Sequence, residues 1–223
     1  MKKKIIRIGI LDDDSSKVTQ IITQLLYGMQ EAPKTKIDKY SEFEFKPYEI
    51  SIDLEIDEMI DFIRENKIDC VLVDYNLSSF ANINFTGVQF AKHLESALLD
   101  FPVFILTAYE DELYEQEIFN AYQVFDFARY LSQKDERIEL NYKIIEQVLK
   151  YYKQIENWKE ELKKILPAAG RSSEIDDRIL YLDTMLEKSI NAEKALPDRI
   201  KRELQVNRVD ELMKKIDKLI QED

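Results

Sequence analysis

The chain has 223 residues, 45% hydrophobic and 34% charged, with four glycines and one cysteine, which is enough apolar material for one generous domain or two small ones and excludes an intrinsically disordered chain. No apolar run reaches the roughly 20 residues of a membrane span. The basic start "MKKKIIRIGILDDD" has too short an apolar segment to act as a signal peptide, and the lone Cys70 permits no internal disulfide, so a cytoplasmic protein is expected. The net charge of −12 is unevenly placed: residues 136–223 carry 19 acids against 18 bases, which leaves −11 on residues 1–135. Neither part has the basic footprint of a protein that binds a phosphate backbone.

"KIIRIGILDDD" is β-branched and apolar up to Asp12–Asp14 and predicts a first strand. In "SSKVTQIITQLLYGMQ", Val18, Ile21, Ile22, Leu25 and Leu26 have helical spacing behind a serine N-cap. A polar connection follows, then a weak strand in "PYEISI". "DLEIDEMIDFIRENK" predicts an amphipathic helix, "DCVLVD" a buried strand, "TGVQFAKHLESALL" a helix and "PVFILTA" another buried strand. "DELYEQEIFNAYQ" predicts a helix and "FARYLSQ" a short last strand. Five near-continuous apolar strands separated by helices imply a parallel sheet covered on both faces.

Past residue 136 the pattern changes to three helical stripes. The first runs from Ile138 to Ile165, the second from Ile175 to Ile190, and the third from Ile200 to Leu219. They predict an all-α hairpin or coiled-coil extension over 136–223, attached to an α/β domain over 1–135.

In a parallel sheet the carboxyl ends of the strands lie together and collect functional groups. Asp12 and Asp13 follow the first strand, Asp74 the third, Thr107 the fourth, and Lys134 the fifth. Three carboxylates in one cleft repel unless a cation neutralises them, and an all-oxygen donor set suits Mg²⁺. A hydroxyl and an ammonium nearby could hold the oxygens of a phosphoryl group. Each residue also has a plainer reading. Asp12–Asp14 could cap the next helix, Thr107 could be an ordinary β-branched strand residue, Lys134 a solvated lysine and Tyr130 core. His93, the only histidine, makes no metal site alone and reads as structural.

These motifs, taken together and in order, resemble the receiver domain of bacterial two-component response regulators over roughly residues 4–135. "ILDDDSS" is similar to that family's acidic pair, "VLVDYNL" to its phosphoacceptor strand and "PVFILTA" to its switch-threonine strand. The resemblance implies a flavodoxin-like five-stranded parallel sheet and a phosphoryl group accepted on Asp74. It implies Mg²⁺ held by Asp12, Asp13, Asp74 and the backbone carbonyl of Asn76. It also implies phosphoryl contacts from Thr107 and Lys134, with Tyr130 as the aromatic that moves with the threonine. The implied partner is a sensor histidine kinase or a histidine phosphotransfer protein. No catalysis is implied beyond phosphorylation and dephosphorylation of the aspartate.

The chain departs from the family pattern in three places, one of them a longer link between the first helix and the third strand. The loop after Asp74 lacks a proline and reaches Gly87 only 13 residues on, and Lys134 is followed by Asp135 with an extra residue, Gln133, before it. The expectation is a response regulator of a phosphorelay whose helical extension binds proteins, including a second copy of itself. The rival expectations are a receiver-like adaptor that binds partners without phosphorylation, and a DNA-binding regulator. A metal-dependent phosphohydrolase would need a second aspartate two residues after Asp74, where Asn76 stands.

Overall fold

Apolar strands that alternate their side chains between two helix layers build the first part of the protein. In the computed structural model, which describes residues 3–30, 32–77, 83, 85–107 and 123–203, the order is β1 (Lys4–Leu11), α1 (Ser15–Tyr27), α2 (Lys34–Tyr40), β2 (Phe43–Glu49), α3 (Ile56–Glu65), β3 (Cys70–Asp74), α4 (Gly87–Ala97), β4 (Val103–Thr107), β5 (Val124–Asp126), α5 (Phe127–Ser132) and α6 (Lys134–Ile165). All neighbouring strands are parallel and the sheet order is β2-β1-β3-β4-β5. This is the flavodoxin-like, doubly wound order, and its direction reverses between β1 and β3.

The period of two along β3 sorts the core. Val71 and Val73 pack in a cluster with Met59, Ile60 and Ile63 of α3 and Val88 and Leu94 of α4. Cys70 and Leu72 face the other layer, with Val18, Ile21 and Leu25 of α1 and Leu140, Ile144, Ile145 and Val148 of α6. Every residue of β3 and β4 is buried. Each large apolar side chain so buried contributes roughly 1.5–3 kcal/mol, so the two central strands are the most strongly held part of the sheet.

Three sequence expectations are corrected. "FARYLS" is a helix, not the last strand, which is Val124–Asp126. The Asp126 carboxylate accepts the Arg129 N–H at 2.7 Å and starts a helix where the aromatic residues suggested extension. The polar connection contains α2, and β2 begins at Phe43 rather than Pro47. Phe43 and Phe45 face the core there, a period-two signal that the surrounding acids and lysines hid. The helix expected over 111–123 falls almost wholly outside the described residues.

The chain divides into two compact units, Met1–Lys153 and Gln154–Asp223. The first therefore runs past the boundary expected at 135, because the opening turns of α6 bury Ile138, Leu140, Ile144, Ile145 and Val148. In the second unit the end of α6 is joined to α7 (Ser173–Asn191) through a short 3₁₀ turn at Leu166–Ala168. Gly170 takes φ +79° there, a conformation that disfavours a side chain. The Ser172 hydroxyl caps α7 by accepting from Ile175 N–H. Arg178 forms a two-pronged ion pair with Glu161, tying α7 to α6. Leu180 and Leu182 are buried, as is Lys201, whose ammonium pairs with Asp183 and Glu187. The third stripe begins at Ile200, and its part after Glu203 lies outside the described residues. Among the described residues, no helix is long and apolar enough to cross a membrane.

Candidate functional site

The register of the sheet brings the acidic residues together. Leu11 of β1 pairs with Val73 of β3, so Asp12, the next residue, lies level with Asp74; Asp74 in turn pairs with Leu106, one residue before Thr107. Side-chain parity adds the direction. Asp74 continues the series of Cys70 and Leu72, and Asp12 continues that of Ile6, Ile8 and Ile10, so both point to the layer that contains α1. Carboxylate oxygens of Asp12, Asp13 and Asp74 lie within 4.8 Å of one another.

Asp14 is the N-cap of α1, its carboxylate accepting the Ser16 N–H at 2.8 Å. The plainer capping reading thus holds for the third aspartate of the run. Asp12 does something else: it is 7% exposed and accepts the Asp14 N–H at 2.8 Å. Burial pushes its carboxyl up from 3.8 to about 7, and the nearby Asp74 charge adds to the rise against the opposing Asp14 N–H and Lys17. Asp74, 6% exposed, is also raised by burial, in spite of a bond from Lys17. These are carboxylates short of compensating positive charge.

The ammonium bonded to Asp74 is that of Lys17, a residue the sequence reading did not single out. Lys17 Nζ is 2.8 Å from Asp74 Oδ2 and 3.9 Å from Asp12 Oδ1, and it stands over the Phe127 ring at 5.6 Å from the centroid. Burial works against its charge, but the bond to Asp74 and the surrounding carboxylates outweigh it, so its pKa is raised. Lys134 is exposed at the first position of α6. Sequence reasoning passed over Lys17 because it looks like a solvent-facing residue in the first turn of an amphipathic helix. The available signal was its spacing, four residues after Asp13, on a helix that springs from the acidic run.

The other expected residues have clear places. Thr107 ends β4 and is fully buried. Asn76 is exposed, two residues past the end of β3. Tyr130 is fully buried, and its hydroxyl bonds Asn141 Oδ1 at 3.1 Å while Asn141 Nδ2 donates to the Gln24 carbonyl at 2.9 Å. That chain of bonds links α5, α6 and the end of α1. His93 is exposed, with Nε2 3.7 Å from an Asp57 carboxylate oxygen, away from the cluster of aspartates.

Gly87 opens α4 against the end of β3. A Cβ there would lie 1.9 Å from the Asp74 carbonyl oxygen, so no larger residue fits without moving the phosphoacceptor candidate. The Gly87 N–H bonds the Tyr75 carbonyl at 2.9 Å, and Thr86 and Gln89 form a capping box around the helix start.

The donor set fits a hard divalent cation: three converging carboxylates, all oxygen, two of them buried and raised in pKa, with a lysine ammonium standing beside them as a counter-charge.

No family model matches the chain, and no curated protein matches it. Among solved structures it is similar to a yeast Spc42 trimeric coiled-coil segment fused to another structure, with 19% identity and a TM-score of 0.42, covering 74% of this chain and 99% of that one. It is also similar to the anti-anti-sigma factor PhyR from Bartonella quintana, with 12% identity and a TM-score of 0.42, covering 70% of this chain and 52% of that one. The sheet order defines the class independently of these: a flavodoxin-like α/β domain followed by a helical extension.

Proposed function

We propose that the protein is a response regulator that accepts a phosphoryl group on Asp74 and passes the signal on through its helical extension. The observation that carries this reading is the buried Asp74 carboxylate at the end of a central strand, within reach of Asp12 and Asp13 and next to an ammonium. An Asp74 oxygen attacks the phosphorus of a phosphohistidine or small acyl phosphate. One P–O bond forms as the bond from phosphorus to the leaving group breaks. Asp12 and Asp13, with Asp74 and the Asn76 carbonyl, are the residues that would hold Mg²⁺. When bound, Mg²⁺ supplies the positive charge that the carboxylates and the phosphoryl oxygens require. Thr107, buried at the end of the adjacent strand, is the hydroxyl offered to a phosphoryl oxygen. The near-neutral extension suits protein contacts, including self-association, better than nucleic acid.

Incubation with acetyl phosphate and Mg²⁺ tests the reading. One acid-labile phosphate per chain is expected, and Asp74→Asn should abolish it; labelling that survives this substitution would remove Asp74 from the role. A second reading, an adaptor that never takes a phosphate, is favoured by the Lys17–Asp74 ion pair and the exposed Lys134. Under it, beryllofluoride with Mg²⁺ produces no change in the protein's spectrum or partner affinity.

A further inference from the structure

We infer that Lys17 is the resident counter-cation of the three-aspartate cluster, and that a divalent cation binds there in competition with it. The inference rests on the metal site proposed above and assigns the competitor to a residue of α1. An exposed lysine–carboxylate pair would be worth little. This pair is different, because the side chains of Asp12 and Asp74 are only 2% and 7% exposed and both partners have lost most of their water. The ammonium sits 2.8 Å from one buried carboxylate and 3.9 Å from the other, which is where positive charge is needed and where a divalent ion would compete for the same oxygens. Phe127 steadies it from one side. The Lys17 side chain keeps 25% of its surface exposed, so its head can swing to water about a flexible four-carbon stem without disturbing Val18 or Ile21 in the core.

Charge counting gives the direction. With Lys17 in place, a divalent ion meets three carboxylates already partly neutralised and a like charge a few ångström away. Without Lys17, it meets the same carboxylates with no like charge beside them.

The test uses the full chain, stripped of metal with a chelator, as the parent protein, Lys17→Met and Lys17→Arg. Melting temperature is followed while Mg²⁺ is added at constant ionic strength. In the metal-free state Lys17→Met should melt below the parent. Its Mg²⁺ midpoint should fall about tenfold, the factor expected of one positive charge a few ångström from a divalent ion even under strong screening. Lys17→Arg, which keeps the charge, should stay close to the parent. Lys17→Gln serves in the same way if the Met variant fails to fold. Equal midpoints in the parent and the charge-removing variant, or no Mg²⁺ response in either, would overturn the inference. Labelling of Asp74 by acetyl phosphate, measured on the same samples, separates the two ideas. Retained labelling with equal midpoints removes the role of Lys17 and leaves the phosphoacceptor, whereas a shifted midpoint without labelling removes the phosphoacceptor and leaves Lys17.

Discussion

Replacing Asp12 by Asn should stabilise the metal-free protein, and by an amount that grows with pH. Asp12 rises from 3.8 in the unfolded chain to about 7 in the fold, chiefly through burial. Between those values the native protein holds a proton that the unfolded chain has released. Stability therefore falls as pH rises through that window and levels off above it. A rise of that size costs about 4 kcal/mol once the group is fully ionised. Asn has no charge to bury, and its side-chain oxygen can still accept the Asp14 N–H that now bonds Asp12 at 2.8 Å. The chain's isoelectric point near 4.8 makes the lower part of the window prone to precipitation, so the comparison belongs above it. Urea unfolding in chelator at pH 5.5 and pH 8 should show the advantage of Asp12→Asn widening by about 2 kcal/mol between the two. Millimolar Mg²⁺ at pH 8 should then narrow the gap, because the parent gains a counter-charge. An advantage independent of pH, or a loss of stability at pH 8, would refute the assignment of Asp12 as an under-compensated buried carboxylate.

Gly87→Ala forces a Cβ into the Asp74 carbonyl oxygen; it should cost about 3 kcal/mol in urea unfolding and reduce labelling of Asp74, and a neutral effect would mean that the helix start can shift freely. Asn141→Ala leaves the buried Tyr130 hydroxyl and the Gln24 carbonyl without their shared partner and should cost about 2 kcal/mol, whereas Tyr130→Phe, which removes only one hydroxyl, should cost about half that. Sedimentation of the full chain at micromolar concentration should show a dimer that weakens when 167–223 is removed, and identical behaviour of the two would take self-association away from the extension.

The fold could be read from the sequence where the physics is local. Continuous apolar runs such as "CVLVD" and "PVFILT" cannot be anything but buried, and each ends in a polar residue, Asp74 or Thr107, that needs a partner there. The rule that strand ends lie together in a parallel sheet placed Asp12, Asp13, Asp74, Thr107 and Lys134 at one end. Local pattern failed at "FARYLS", where the Asp126 cap outweighed β-propensity, and at 136–153, where a helical stripe says that a face is buried but not against what.

Lys17 marks the division most sharply. As a sequence feature it is one polar residue in the first turn of an amphipathic helix, like Ser16 or Gln20 around it. Its meaning comes from three separate facts: β1 and β3 are neighbours in register, Asp12 and Asp74 share the parity that turns them toward α1, and α1 begins where the acidic run ends. The sequence alone determined that carboxylates would gather at the strand ends, because burial and the period of two are local properties of the chain. Which cation answers them was decided only by the tertiary structure, because an ion pair 57 residues apart depends on how the chain folds back and not on any pattern along it.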